Sequence, residues 1–140
     1  MQECNEDEWS DEEVMSLVQT LTKHAEVSAE ELQTLLSLRQ KKRVDFVLVD
    51  IREVYEYTES SISGTNLLLP MSTIHLHMDQ LKKLSHKLLI FYCHTGGRTS
   101  QMIFILCRMG FTNIAHVEGG IHVFYGKKLK NAPLPKNIQL

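Results

Sequence analysis

Residues 88 to 100 constrain this chain more than any other stretch. Leu88-Leu89-Ile90-Phe91-Tyr92 is a continuous apolar run that ends in Cys93, and His94-Thr95-Gly96-Gly97-Arg98-Thr99 follows before a helical pattern begins. The run is short and rich in aromatic and branched residues, so it reads as a buried strand. From Ser100 onward, Met102, Ile103, Leu106 and Met109 recur at helical spacing, with Gly110 as the stop signal. Cys93 therefore stands where a strand hands over to a helix, the place where open α/β sheets hold their ligands.

That position has a physical consequence. The first amides of a helix lack intrahelical partners and carry the positive end of its dipole. With Gly96 and Gly97 letting the backbone curl, the N–H groups of residues 94 to 99 are expected to converge on the Cys93 sulfur. Such a cradle favours an anion: a thiolate, a persulfide or a bound oxyanion. Arg98 adds a permanent cation at its mouth. A structural cysteine needs neither the glycines nor the arginine, so Cys93 is expected to be an activated nucleophile.

The same residues carry a family resemblance. Cys93-His94-Thr95-Gly96-Gly97-Arg98-Thr99 resembles the active-site loop of single-domain rhodanese-like sulfurtransferases, Cys-x-x-Gly-x-Arg followed by Ser or Thr. Asp50-Ile51-Arg52-Glu53, with Tyr57, Ile62 and Gly64 after it, is similar to the family's Asp-Val-Arg segment and its following His-Ile-Pro-Gly-Ala stretch. Gly110-Phe111-Thr112-Asn113-Ile114, leading to Glu118-Gly119-Gly120-Ile121, is similar to the segment that closes the domain. The match runs in order over roughly residues 26 to 125. It departs at Ser61-Ile62-Ser63-Gly64-Thr65, where the family usually has a histidine before Ile, and at Phe124 and Tyr125, where a tryptophan is common.

The resemblance implies an α/β fold: a central, mainly parallel five-stranded sheet flanked by helices on both faces. It implies sulfur transfer in two steps, with Cys93 taking sulfane sulfur from thiosulfate or a persulfide and passing it to cyanide, a small thiol or a protein thiol. The loop His94, Thr95, Gly96, Gly97, Arg98 and Thr99 would bind the anion, with Arg98 attracting the donor. Asp50 and Arg52 would support it by pairing with each other and with loop amides. No metal or organic cofactor is implied. His94 occupies a variable position in the family's loop; a histidine there could tune the thiolate, meet a substrate or face solvent.

Two rivals follow from the same residues. A cysteine phosphatase or arsenate reductase would use the same cradle, but such phosphatases resemble Cys-x5-Arg, and here four residues separate Cys93 from Arg98. The shorter loop suits a sulfur atom better than a tetrahedral phosphoryl group, and Tyr92 stands where those enzymes usually place a histidine. The other rival is a rhodanese-like module that binds a partner without catalysis; such modules often lose the cysteine, which this chain keeps.

At 140 residues, with 43% hydrophobic and 23% charged content, the chain makes one globular domain with a single sizeable core. No apolar run approaches a membrane span, and the N-terminus is acidic rather than a basic-then-apolar leader. Three cysteines without pairing logic, one needed free, argue for a reducing compartment, the cytoplasm. The first thirteen residues hold seven acids and no Lys or Arg, so the overall charge of −2 combines a leader at −7 with a remainder at +5. The expected organisation is an acidic extension with an added helix over 1–24, the rhodanese-like domain over 25–126, and a loosely ordered basic tail over 127–140.

Within that frame, Ser10 with Glu13 and Ser28 with Glu31 are capping boxes, with Trp9/Val14 and Val27/Leu32 as staple pairs. Val14, Leu17, Val18 and Leu21 form one apolar helical face, and Leu32, Leu35 and Leu36 another. Ala25-Glu26-Val27, Phe46–Val49, Gly64–Pro70 and Ile114–Val117 are expected strands, and 72–84 an expected single helix with Ile74, Met78, Leu81 and Leu84 inward. Arg39 to Arg43 reads as a solvated helix end, too short for nucleic-acid contact. His75 and His77 fall on different faces, which argues against a metal site. Cys4 lies in the leader, outside any catalytic part, and Cys107 reads as a packed core thiol.

Overall fold

The computed structural model describes residues 9–135. Helix α1 (Asp11–His24) starts where Ser10 and Glu13 cap each other, at 3.0 and 2.8 Å, and ends at Ala25 in the left-handed region. Strand β1 (Glu26–Val27) follows, then α2 (Ala29–Gln40), capped by the Ser28–Glu31 box at 3.1 and 2.9 Å. The rest runs β2 (Val47–Asp50), α3 (Val54–Glu59), β3 (Ser61–Ile62), β4 (Leu67–Leu68), a 3-10 turn (Ile74–His77), α4 (Met78–Lys83), β5 (Leu89–Tyr92), α5 (Gly97–Arg108), β6 (Ile114–Val117), α6 (Gly120–Val123) and β7 (Lys128–Leu129).

Five strands form one sheet in the order β1-β6-β5-β2-β4, every neighbouring pair parallel. Alternation along the strands divides the core in two. Ile90 and Tyr92 face one side with Leu21, Leu32, Leu35 and Leu48, under α1 and α2. Leu89, Phe91 and Cys93 face the other with Leu81, Met102, Leu106 and Ile114, under α4 and α5. Coverage on both faces is why these strands are continuously apolar rather than alternating. Each fully buried leucine contributes about 1.5–3 kcal/mol of transfer free energy.

The structure departs from the sequence pattern in several places. Residues 72–84 are not one helix: the Leu76 N–H bonds to Thr73 O in an i to i+3 turn, and α-helical winding begins only at Met78. The strand near Gly64–Pro70 is regular only at Leu67–Leu68. The basic cluster is a solvated end only at Lys41 and Lys42, which are exposed; its two arginines are engaged. Arg39 donates to Phe46 O, Asn66 Oδ1 and Gly64 O and lies over the Phe46 ring, while Arg43 reaches Trp9 O and Asp11. Within the described residues the tail is tied to the domain: β7 pairs antiparallel with β3, and the Asn131 N–H bonds to Thr58 O. Cys107 is exposed, not core. The buried stripe of α5 runs through Met102 and Leu106, and one further residue rotates the side chain about 100° out of it. Cys4 lies outside the described residues. No helix among the described residues is long and apolar enough to cross a membrane.

Candidate active site

Cys93 directly follows β5, the central strand of the sheet, and is 1% exposed. Gly96, at φ +103°, is the N-cap of α5, and its N–H donates to the Cys93 sulfur at 3.2 Å. The Thr99 hydroxyl lies 3.6 Å from the same sulfur and 3.2 Å from Gly96 O, one of the acceptors within reach of its single proton. The cradle thus consists of one loop amide, one hydroxyl from the first turn of α5, and the positive end of that helix. His94, Thr95 and Gly97 are exposed around its rim.

The loop is held from across the sheet by the turn after β6. Ile121 N–H bonds to Cys93 O and His122 N–H to His94 O, both at 2.9 Å. This approach is close enough that a Cβ on Gly120, at φ +63°, would lie 2.4 Å from both carbonyl oxygens. Glycine is required there on both steric and conformational grounds. The same turn brings the His122 ring to His94, edge to face with centroids 5.6 Å apart.

Arg98 does not stand free at the mouth. Its two terminal nitrogens bind Glu56 of α3 at 3.0 and 2.9 Å. Those hydrogen bonds hold the Glu56 carboxyl down at about 2 and keep the Arg98 guanidinium more firmly protonated. Glu56 Oε1 also accepts the Glu53 N–H at 2.9 Å, so the pair fastens the active-site loop to the start of α3.

Asp50 and Arg52 come together as the sequence suggests. Asp50 is buried at the end of β2 and takes the Arg52 N–H at 2.8 Å, with Nε at 3.0 Å and Nη2 at 2.9 Å from its two oxygens. Arg52 Nη2 continues to Ser60 O at 2.6 Å. Burial pushes the Asp50 carboxyl up while the Arg52 hydrogen bonds pull it back. For Arg52, burial is outweighed by those same bonds, and the guanidinium stays charged. Tyr92 completes this support: its buried hydroxyl accepts the Ile62 N–H at 3.2 Å and meets Thr65 Oγ1 at 2.9 Å. The residues that replace the family's histidine segment are therefore anchored by the tyrosine next to Cys93.

A hollow of about 390 Å³ opens beside His94, lined among others by Tyr55, Glu56, Glu59, His122 and Lys128. It carries both signs of charge, and two of its walls, α3 and β7, are elements the sequence did not reveal. Among the described residues, no group of three or more His, Cys, Asp or Glu is arranged to hold a metal ion.

Two residues of this region escaped the sequence reading. Glu56 belongs to a six-residue helix with too little apolar periodicity to be seen, although Glu53 and Glu56 stand at capping-box spacing. His116 sits on β6, 8% exposed, with Nδ1 2.9 Å from Thr99 Oγ1. Strand parity was the available signal: Ile114 and His116 share a face, and the register pairs His116 with Phe91, which shares its face with Cys93.

Comparison with known proteins bears on the family and the fold. Residues 28–127 match the profile of the rhodanese-like domain. A tRNA uridine(34) hydroxylase from Hamiltonella defensa is 33% identical over 98 residues, 67% of this chain and 27% of that protein. An uncharacterized protein from Synechocystis is 33% identical over 107 residues, 73% of this chain and 57% of its own length. The chain thus spans from about a quarter to somewhat over half of these relatives. Among solved structures, a rhodanese-like domain protein from Staphylococcus aureus gives a TM-score of 0.61 at 22% identity, covering 76% of this chain and 98% of that one. Thiosulfate sulfurtransferase from Pseudomonas aeruginosa gives 0.65 at 22% identity, covering 89% of this chain and 23% of that one. At these identities the structures share the fold.

Proposed function

Since the chain belongs to the rhodanese-like domain family, we propose that it is a sulfurtransferase that carries sulfane sulfur on Cys93. The observation that carries the reading is the Cys93 sulfur itself, buried at the end of the sheet's central strand and accepting the Gly96 N–H at 3.2 Å at the head of α5. That arrangement stabilises negative charge on sulfur without water.

The reaction runs in two displacements. The Cys93 thiolate attacks the outer sulfur of thiosulfate or of a persulfide. A new S–S bond forms, the donor's S–S bond breaks, and sulfite or a thiolate departs with the electron pair. A second nucleophile, such as cyanide, a small thiol or a protein cysteine, then takes the outer sulfur and returns the thiolate. Gly96 and Thr99 hold the anionic persulfide, and the Arg98–Glu56 pair fixes the loop's shape. A thiol that must remain reduced between turnovers suits a reducing compartment such as the cytoplasm.

The test is intact mass after incubation with thiosulfate, on the wild-type chain and on Cys93→Ser. The expected result is a gain of one sulfur atom, removed by cyanide and absent from the variant. Absence of that gain, with Cys93-dependent hydrolysis of an aryl phosphate in its place, would overturn the proposal in favour of a phosphatase.

A further inference from the structure

Behind the Cys93 sulfur lies a line of polar groups that the transfer chemistry does not by itself require. Thr99 Oγ1, fully buried, is 3.6 Å from Cys93 Sγ and 2.9 Å from His116 Nδ1. On the far side of the ring, His116 Nε2 lies 3.9 Å from Glu26 Oε2, whose side chain is about half exposed. Strand register sets this alignment, because Glu26 of β1 pairs with His116 of β6. A 1% exposed thiol, a buried hydroxyl, a buried imidazole and a solvent-facing carboxylate thus stand in a row.

We propose that His116 is a positioning residue that acts on Cys93 through Thr99, forming a proton path from the buried thiol to solvent on the Glu26 side. The Thr99 hydroxyl has one proton and three acceptors around it: Gly96 O, His116 Nδ1 and the sulfur. When the imidazole proton is on Nε2, facing Glu26, Thr99 donates to Nδ1 and its oxygen receives the thiol S–H. In the transfer, the S–H bond breaks as a new Thr99 O–H bond forms. The old Thr99 proton passes to Nδ1, and the Nε2 proton leaves to solvent. The thiolate is then met by a Thr99 hydroxyl that donates to it, held by Nδ1–H. His116 is neutral at both ends of this exchange. Burial, which lowers its basicity against the opposing charges of Glu26 and Glu118, is therefore compatible with the role. The neighbouring elements present to it Thr99 from α5, at 2.9 Å, and Phe91, its register partner on β5.

This inference rests on Cys93 being the nucleophile, but its test needs no sulfur donor. In a Cys4→Ser/Cys107→Ser background, the rate of Cys93 alkylation by iodoacetamide is followed from about pH 5 to 10. His116→Leu and Thr99→Val are each expected to slow alkylation near pH 7 by about tenfold and to move the midpoint of the profile to higher pH. His116→Asn, which keeps a polar group near the Nδ1 position but cannot exchange tautomers, is expected to retain the wild-type melting temperature and still lose rate. Adding His116→Leu to Thr99→Val should cost nothing further, since His116 acts only through Thr99. An unchanged profile in His116→Leu overturns the proposal, as does a loss of undiminished size in the Thr99→Val background. If the profiles shift as expected while thiosulfate loads no sulfur, the sulfurtransferase reading fails and the proton path stands.

Discussion

Arg98 and Glu56 form a two-pronged ion pair, at 3.0 and 2.9 Å, between the active-site loop and a short helix that starts four residues after Asp50. The arginine that the sequence offers as a bait for anions is thus half neutralised before any donor arrives. Glu56→Gln removes the negative charge and leaves the arginine. Its expected effect is a fall of about threefold in KM for thiosulfate, with a steeper dependence on salt. Steady-state kinetics at two ionic strengths check this, and an unchanged or higher KM contradicts it.

The same pair has a pH signature. The Glu56 carboxyl is held below its ordinary value of 4.5, at about 2, so its contribution is present in full above pH 4.5 and is lost as pH falls through 2. Allowing for the partly exposed arginine, about 1 kcal/mol is expected. Urea unfolding between pH 2 and 7 should therefore show a smaller acid-side loss in Glu56→Gln than in the wild-type chain.

Gly120 fastens the turn after β6 against the Cys93 and His94 carbonyls. Gly120→Ala forces that turn away and places a side chain at φ +63°. A loss of about 2–4 kcal/mol is expected, with the sulfur gain on thiosulfate treatment abolished or strongly reduced. A variant that melts and loads like wild type would show that the turn is free to move.

Asp50→Asn leaves the Arg52 guanidinium charged, buried and short of its partner. A loss of about 3–5 kcal/mol is expected from chemical denaturation. Arg52→Lys should recover little of its own loss, because one ammonium cannot reach both Asp50 oxygens and Ser60 O.

Tyr92→Phe separates support from chemistry. It removes the acceptor of the buried Ile62 N–H and the partner of Thr65, so a loss of about 1–2 kcal/mol is expected in thermal or urea melts. Sulfur loading on Cys93 should survive, since the Tyr92 side chain faces the opposite side of the sheet.

Much of the fold was legible because its signals are local. The two capping boxes, the apolar strand ending at Cys93, and the glycines after β6 each act over fewer than ten residues, and each is found where the pattern puts it. What escaped was decided at a distance. β7 looked like a loose lysine tail because its partner, Ser61–Ile62, lies more than sixty residues earlier. Arg39 and Arg43 looked solvated because the carbonyls they hold come from other segments. Cys107 looked buried because free cysteines usually are, although the stripe through Met102 and Leu106 already leaves it on another face of α5.

The sequence by itself determined the strand-to-helix handover at Cys93, the glycine-bearing loop around it and the family to which these belong. Those are properties of contiguous residues, set by backbone freedom and hydrophobic period. Only the tertiary structure decided that Arg98 is spent on Glu56, that Tyr92 anchors the turn at Ile62, and that His116 stands behind Thr99. The physical reason is that hydrogen bonds and ion pairs act over about 3 Å, and which side chains come that close is settled by strand order and register.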